Sequence, residues 1–89
     1  MTNLNDLQHI REFVQIADSG SISAAAKVLS MAQPTLSRHL AALETQIGSP
    51  LLRRDTHTMS LTEAGRILLA DARELLNLAD RLGSRLRSE

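Results

Sequence analysis

The sequence predicts a mainly α-helical domain with one short β-hairpin, and three observations carry that expectation. Apolar residues recur at three- and four-residue steps over most of the chain, which is the helical period. Gly20, Gly48, Pro34 and Pro50 punctuate that pattern at intervals suited to helix ends and starts. Phe13 is the only aromatic residue, although 43% of the 89 residues are hydrophobic, so the core must be aliphatic. Aliphatic cores rich in Leu and Ala suit helices better than sheets.

The first helical pattern runs from about Leu4 to Ala17. Leu4, Leu7, Ile10, Val14 and Ala17 form its stripe with Phe13 beside them, and Arg11, Glu12 and Gln15 fall on the other face. Ser19-Gly20 ends it. Ser21 then reads as the N-cap of a two-turn helix from Ile22 to Leu29, with Ile22, Ala25, Ala26 and Leu29 as its buried side. Two turns are too few to be stable alone, so packing must hold them. Ser30-Met31-Ala32 connects to a third helix that starts at Gln33 or Pro34, where a proline loses no hydrogen bond. Leu36, Leu40, Leu43 and Ile47 make its apolar stripe. Thr35, Ser37, Arg38, Ala41, Ala42 and Thr45 make a small, polar opposite face with one long cation. Gly48 and Pro50 stop this helix.

Leu51-Leu52-Arg53-Arg54 and Thr58-Met59-Ser60-Leu61 read as two short strands joined by a turn at Asp55-Thr56-His57. By alternation one of Arg53 and Arg54 should point inward; Arg54 is the candidate for a structural role, paired with Glu44, or alternatively for a phosphate contact. The last helix starts near Thr62 and continues to the end, with either Thr62 or a Ser60/Glu63 capping box at its head. Leu68, Ala72, Leu75, Ala79, Leu82 and Leu86 step along it in a heptad, and Leu69 and Leu76 form a second stripe. A helix this long has more apolar surface than a small domain can cover, so the heptad is expected to pair with a second copy. The expected organisation is therefore a body over residues 1–61 and a dimerising linker helix over residues 62–89.

Lys plus Arg equals Asp plus Glu at 10 each, so a nonspecific, strongly basic nucleic-acid coat is not expected. The charges are segregated, however: between Ser21 and Thr62 the net is +2, and nine of the ten cations are Arg. The planar fork of Arg suits phosphate and guanine edges. With no Cys, disulfide scaffolds and thiolate metal sites are excluded, and a reducing cytoplasm is the fitting compartment. Neither a secretory leader nor a membrane-spanning run is expected. His9, His39 and His57 show no metal-ligand spacing, no Gly-flanked nucleophile appears, and neither a cofactor nor an enzymatic activity is expected.

Two helices joined by a three-residue turn and followed by a basic hairpin make a winged helix-turn-helix, whose second helix fits the DNA major groove. The run Ser21-Ile22-Ser23-Ala24-Ala25-Ala26, Leu29, Gln33-Pro34-Thr35-Leu36-Ser37-Arg38, Leu43-Glu44, Gly48, Leu51-Leu52-Arg53-Arg54 and Leu61-Thr62-Glu63-Ala64-Gly65 resembles the LysR-type transcriptional regulators. The resemblance covers Leu4 to Leu86. It implies principal DNA contacts from Gln33, Pro34, Ser37 and Arg38, binding to interrupted palindromes as dimers or tetramers, and antiparallel pairing of linker helices. It also implies a larger effector-sensing domain, which would bind the small-molecule effector and is not part of this chain. Thr35 sits at the same helix start, within reach of phosphate, and Arg53 and His57 are the wing candidates. Three positions depart from the family pattern. Leu52 stands where an aromatic is frequent. Ala32 stands where Ser or Thr would cap the recognition helix. His57 stands where a basic residue is frequent near the wing tip, and Arg53 is placed to compensate. The competing function class is a helical dimerising module that binds other proteins and no DNA, for which the zero net charge is the best argument.

Overall fold

The computed structural model describes residues 6–54 and 59–88, with Arg54 described by its backbone. The elements run α1 (Leu7–Ser19), α2 (Ile22–Leu29), α3 (Gln33–Ile47), β1 (Leu52–Arg54), β2 (Met59–Leu61) and α4 (Glu63–Arg87). Each boundary has a local cause. The Asp6 carboxylate accepts the amides of Gln8 and His9 at the head of α1. Ser21 Oγ accepts the Ala24 amide at 3.0 Å and starts α2. Gly20 and Gly48 end α1 and α3 in the left-handed region, at φ 83° and 84°. Ser30 closes α2 in the same region at φ 55°, which leaves room for only the short Ser30–Met31–Ala32 turn before α3. Thr62, rather than a Ser60/Glu63 box, caps α4: its Oγ1 accepts the Gly65 amide at 3.0 Å and donates to Pro50 O at 2.7 Å.

α1, α2 and α3 pack on one another and α4 lies along α1. The core between them is Ile10, Phe13 and Ile16 from α1, Ile22, Ala25 and Ala26 from α2, and Leu36, Leu40 and Leu43 from α3. Leu51, Leu52, Ala72 and Leu76 close it. Burial of each large aliphatic side chain contributes about 1.5–3 kcal/mol, which is what holds a helix as short as α2. Together α2, the turn and α3 form the helix-turn-helix. The strands pair antiparallel, with Leu52 opposite Leu61, Arg53 opposite Ser60 and Arg54 opposite Met59, and form the wing.

The wing is fastened at both ends. Glu44 Oε2 on α3 accepts the amide of the fully buried Leu51 at 2.7 Å. Leu51 O in turn accepts the Thr62 amide at 3.0 Å. α4 approaches this strand so closely that a Cβ on Gly65 would overlap the Leu51 carbonyl oxygen and crowd the Leu61 side chain. Only glycine fits there.

Two sequence expectations are corrected. The stripe drawn on α1 is shifted: Ile16 is fully buried, Leu7 is 38% exposed, and Glu12, expected on the solvent face, is 3% exposed. α1 is covered by α2 and α3 on one side and α4 on the other, so its buried arc is wider than one stripe. The Glu12 carboxylate is tolerated there because His39 Nδ1 lies 2.8 Å away and Gln8 Nε2 donates at 3.3 Å. In the heptad of α4, Ala72 is 1% exposed and belongs to the domain's own core, not to a solvent-facing seam, because its methyl lets α4 settle against that core. Leu4, Asp55, Thr56 and His57, and the choice between the two Arg54 side-chain roles, lie outside the described residues.

Candidate nucleic-acid interface

The helix-turn-helix puts the start of α3 at the surface. Gln33 and Pro34 are exposed in its first turn, Thr35 and Ser37 are half-buried, and Arg38 is exposed. Ala32 offers no side-chain cap, so the first-turn amides face outward without one. Behind this surface Leu36, Leu40 and Leu43 anchor the helix in the core, which holds the exposed face in place. The Thr35 hydroxyl accepts a hydrogen bond from Arg38 Nη2 at 3.1 Å. Nothing in the sequence signals that contact, and residue type alone suggests a phosphate ligand at Thr35. The hydroxyl also holds the guanidinium fork toward the N-terminal end of α3, with its own proton left free to donate. Ala41, Ala42 and Thr45 continue the exposed face with small side chains that let a large, flat partner approach.

Electrostatics explains how a chain of zero net charge keeps cations for this face. Arg11 pairs with Asp80 at 3.0 Å and Arg73 with Asp18 at 2.6 Å, both between α1 and α4, and Arg66 pairs with Glu63. The hydrogen bond from Arg73 to Asp18, and then their mutual attraction, raise the guanidinium pKa above its ordinary value. Among the described residues no carboxylate pairs with Lys27, Arg38 or Arg53. The neutralised cations fasten the scaffold, while those of the helix-turn-helix and wing remain available. Arg53 is exposed on β1 beside the buried Leu52, as alternation requires.

On the far half of α4, Leu75, Leu78, Leu82 and Leu86 are 41–65% exposed, and Ile67 is 58% exposed nearer its start. The heptad points to Leu75, Leu82 and Leu86; it passes over Ile67 and Leu78, which lie off its register. Leu68 is partly covered by the core and Ala79 is half-buried. An apolar groove of about 490 Å³ lies beside this row, lined by Ile10, Ile47, Ile67, Leu68 and Leu75. No helix among the described residues is long and apolar enough to cross a membrane.

Residues 7–66 match the family model of bacterial regulatory helix-turn-helix proteins of the lysR family. The chain belongs to the LysR family. Similar LysR-family proteins include the HTH-type transcriptional regulator TcbR of Pseudomonas sp. (strain P51), 40% identical over 83 residues, which are 93% of this chain and 28% of TcbR. The chain thus spans under a third of that relative's length. Two solved structures are similar at domain scale. The DNA-binding domain of BenM in complex with catB site 1 DNA has a TM-score of 0.90 at 34% identity, over 93% of each chain. The DNA-binding domain of CbnR in complex with DNA has a TM-score of 0.87 at 40% identity, over 93% of this chain and 95% of that one.

Proposed function

We propose that this LysR-family domain binds double-stranded DNA sequence-specifically to regulate transcription, with α3 in the major groove and the wing on the adjacent backbone or minor groove. The observation that carries this reading is Arg38. It is exposed, held by Thr35 on the reading face of α3, and free of carboxylate partners among the described residues. The DNA complexes of the similar BenM and CbnR domains support it. Gln33, Pro34, Ser37 and Arg38 are the proposed base-edge readers, Arg53 and His57 the wing contacts, and Thr35 the residue that orients Arg38.

Residues 1–61 serve as the reading body and residues 62–89 as the linker helix. Leu75, Leu82 and Leu86, flanked by Leu68 and Ala79, form the seam of a homodimer, with Ile67 and Leu78 widening it. Antiparallel pairing of two linker helices would set two α3 helices on one DNA face over an interrupted palindrome, at a spacing of whole helical turns. Tetramers and effector binding belong to a longer protein with a further domain. The domain works in the cytoplasm and is not an enzyme.

The test is selection of genomic fragments by the purified chain, then titration of the selected duplex and a scrambled one across salt. Specific binding that weakens linearly on a log–log salt plot is expected, because phosphate contacts release counterions. The zero net charge favours a protein-binding module instead; absence of salt-dependent binding to either duplex would support that reading, and equal affinity for both duplexes would reject sequence-specific recognition.

A further inference from the structure

Behind the reading face, three side chains from two helices converge. His9 and Glu12 stand three residues apart on α1 and so share a face. His39, on α3, meets them from the other side. One ligand atom from each lies within 4.8 Å of the other two. Glu12 Oε1 and His39 Nδ1 are 2.8 Å apart, and the two imidazole rings have centroids 4.5 Å apart at a 35° tilt. In a tetrahedral zinc site with bonds of about 2.0–2.1 Å, neighbouring ligand atoms sit about 3.3 Å apart, so small side-chain rotations bring this set into range.

The burial pattern points the same way. A helix-to-helix strut needs only Glu12 and His39. It gives no role to His9, whose Nδ1 is buried without a hydrogen-bond partner, 3.4 Å from an Asp6 carboxylate oxygen. A buried ring nitrogen without a hydrogen bond is costly, and coordination of the His9 imidazole to a cation would offset that cost. The carboxylate of Glu12 is 4% exposed and supplies the negative charge a cation needs, while His39 is 35% exposed and leaves an entry path and room for a water ligand.

We propose that His9, Glu12 and His39 bind a divalent transition-metal ion that clips α1 to α3. Two imidazoles and a carboxylate are the donor set of zinc and its first-row neighbours, not of calcium or magnesium. The sequence conceals the site because two of its ligands lie 27 residues apart, on helices that only the fold brings together. His39 directly follows Arg38, so the ion would stiffen the reading helix beside its principal cation. Binding to the folded domain alone would also stabilise it by mass action.

The test uses the metal-stripped chain without DNA, which keeps it independent of the DNA-binding reading. Zn²⁺ titration by calorimetry should show one ion per chain, and the thermal midpoint should rise with Zn²⁺. In NMR the imidazole signals of His9 and His39 should shift together. His9→Gln and His39→Gln, checked for helicity by circular dichroism, should each weaken binding about tenfold or more. Absence of binding at micromolar Zn²⁺, binding unchanged in both variants, or a shift confined to the His57 imidazole would each overturn the proposal. The NMR result on the unmodified chain decides the matter even if a variant fails to fold.

Discussion

Arg38 and Thr35 form the pair on which the reading of α3 can be tested most sharply. If Arg38 makes a bidentate contact to a base edge, Arg38→Ala should remove about 1–3 kcal/mol of discrimination per half-site, a factor of about 5–150. In a symmetric dimer the loss occurs at both half-sites. Thr35→Val keeps the shape but deletes the acceptor that holds Arg38 Nη2 at 3.1 Å. A free Arg side chain carries about 2 kcal/mol of rotamer entropy, and one exposed hydrogen bond restrains only part of it. The expected cost is therefore about 0.5–1 kcal/mol per subunit, a two- to five-fold loss of specific affinity. The decisive quantity is the double-mutant cycle, measured by fluorescence anisotropy on a specific and a random duplex at fixed salt. If Thr35 acts through Arg38, Thr35→Val should change nothing further in the Arg38→Ala background. Additive effects would mean that Thr35 touches DNA itself, and an unchanged ratio of specific to random affinity in Arg38→Ala would refute the assignment of Arg38.

Three other outcomes are expected. Arg53→Ala should weaken binding to all duplexes alike and reduce the log–log salt slope by about one for each phosphate the side chain neutralises, read from titrations at several salt concentrations. Gly65→Ala should destabilise the fold by about 1–3 kcal/mol because the new methyl meets the Leu51 carbonyl. By contrast, Gly83→Ala meets only the flexible end of Arg87 and should be neutral or stabilising by up to about 1 kcal/mol; equal melting temperatures for the two variants would contradict the close approach at Gly65. Leu75→Asp, at a position already 41% exposed, should leave the helicity seen by circular dichroism nearly unchanged while converting a dimer to a monomer in sedimentation and removing the concentration dependence of the melting temperature, and a wild-type chain that is monomeric at micromolar concentration would rule out this seam.

The features legible in the sequence are those that depend on neighbours along the chain. Ser21, Gly20 and Gly48 act within one turn of themselves, so α2 and the ends of α1 and α3 fall where their residues put them. The stripe of α3 is legible because that helix buries one face only. α1 buries an arc on two sides, so a single stripe misplaces Ile16 and puts Glu12 in solvent. Glu12 shows the general limit: a lone carboxylate in an apolar pattern reads as exposed, because burial without a partner is costly, and its partner His39 is invisible until the helices are packed. Ala72 misleads for the opposite reason. A small residue in a heptad fits a close helix pairing and a close intramolecular core equally well, and only the position of α4 against α1 chooses the core. At the interface, residue types mark Arg38 and Arg53, but the Thr35 contact that orients Arg38 requires the side-chain geometry.

The placement of the ion pairs bears on how reading and pairing are joined. Arg11–Asp80 and Arg73–Asp18 both bridge α1 and α4, and both are exposed. Exposed pairs of this kind contribute little to stability and are screened by salt. Their value is directional: Arg11 and Asp18 on α1, and Arg73 and Asp80 on α4, each stand seven residues apart on one helix face, so the two bridges run along one flank of the buried Ala72 and Leu76 and guide the path along which α4 leaves the core. α1 also meets α3 through Glu12 and His39. One helix therefore touches both the proposed reading helix and the proposed pairing helix, and on that proposal the half-site spacing a dimer accepts would be set by the angle between them. Loosening α1 against α4 should broaden the range of tolerated spacings without altering which bases are preferred within a half-site. Arg11→Ala combined with Arg73→Ala removes both bridges while sparing α3 and the wing. Binding to a series of duplexes with altered half-site separation should then show a flatter dependence on spacing, with the base preference at each half-site intact; a spacing optimum as sharp as that of the unmodified chain would show that apolar packing alone fixes the angle.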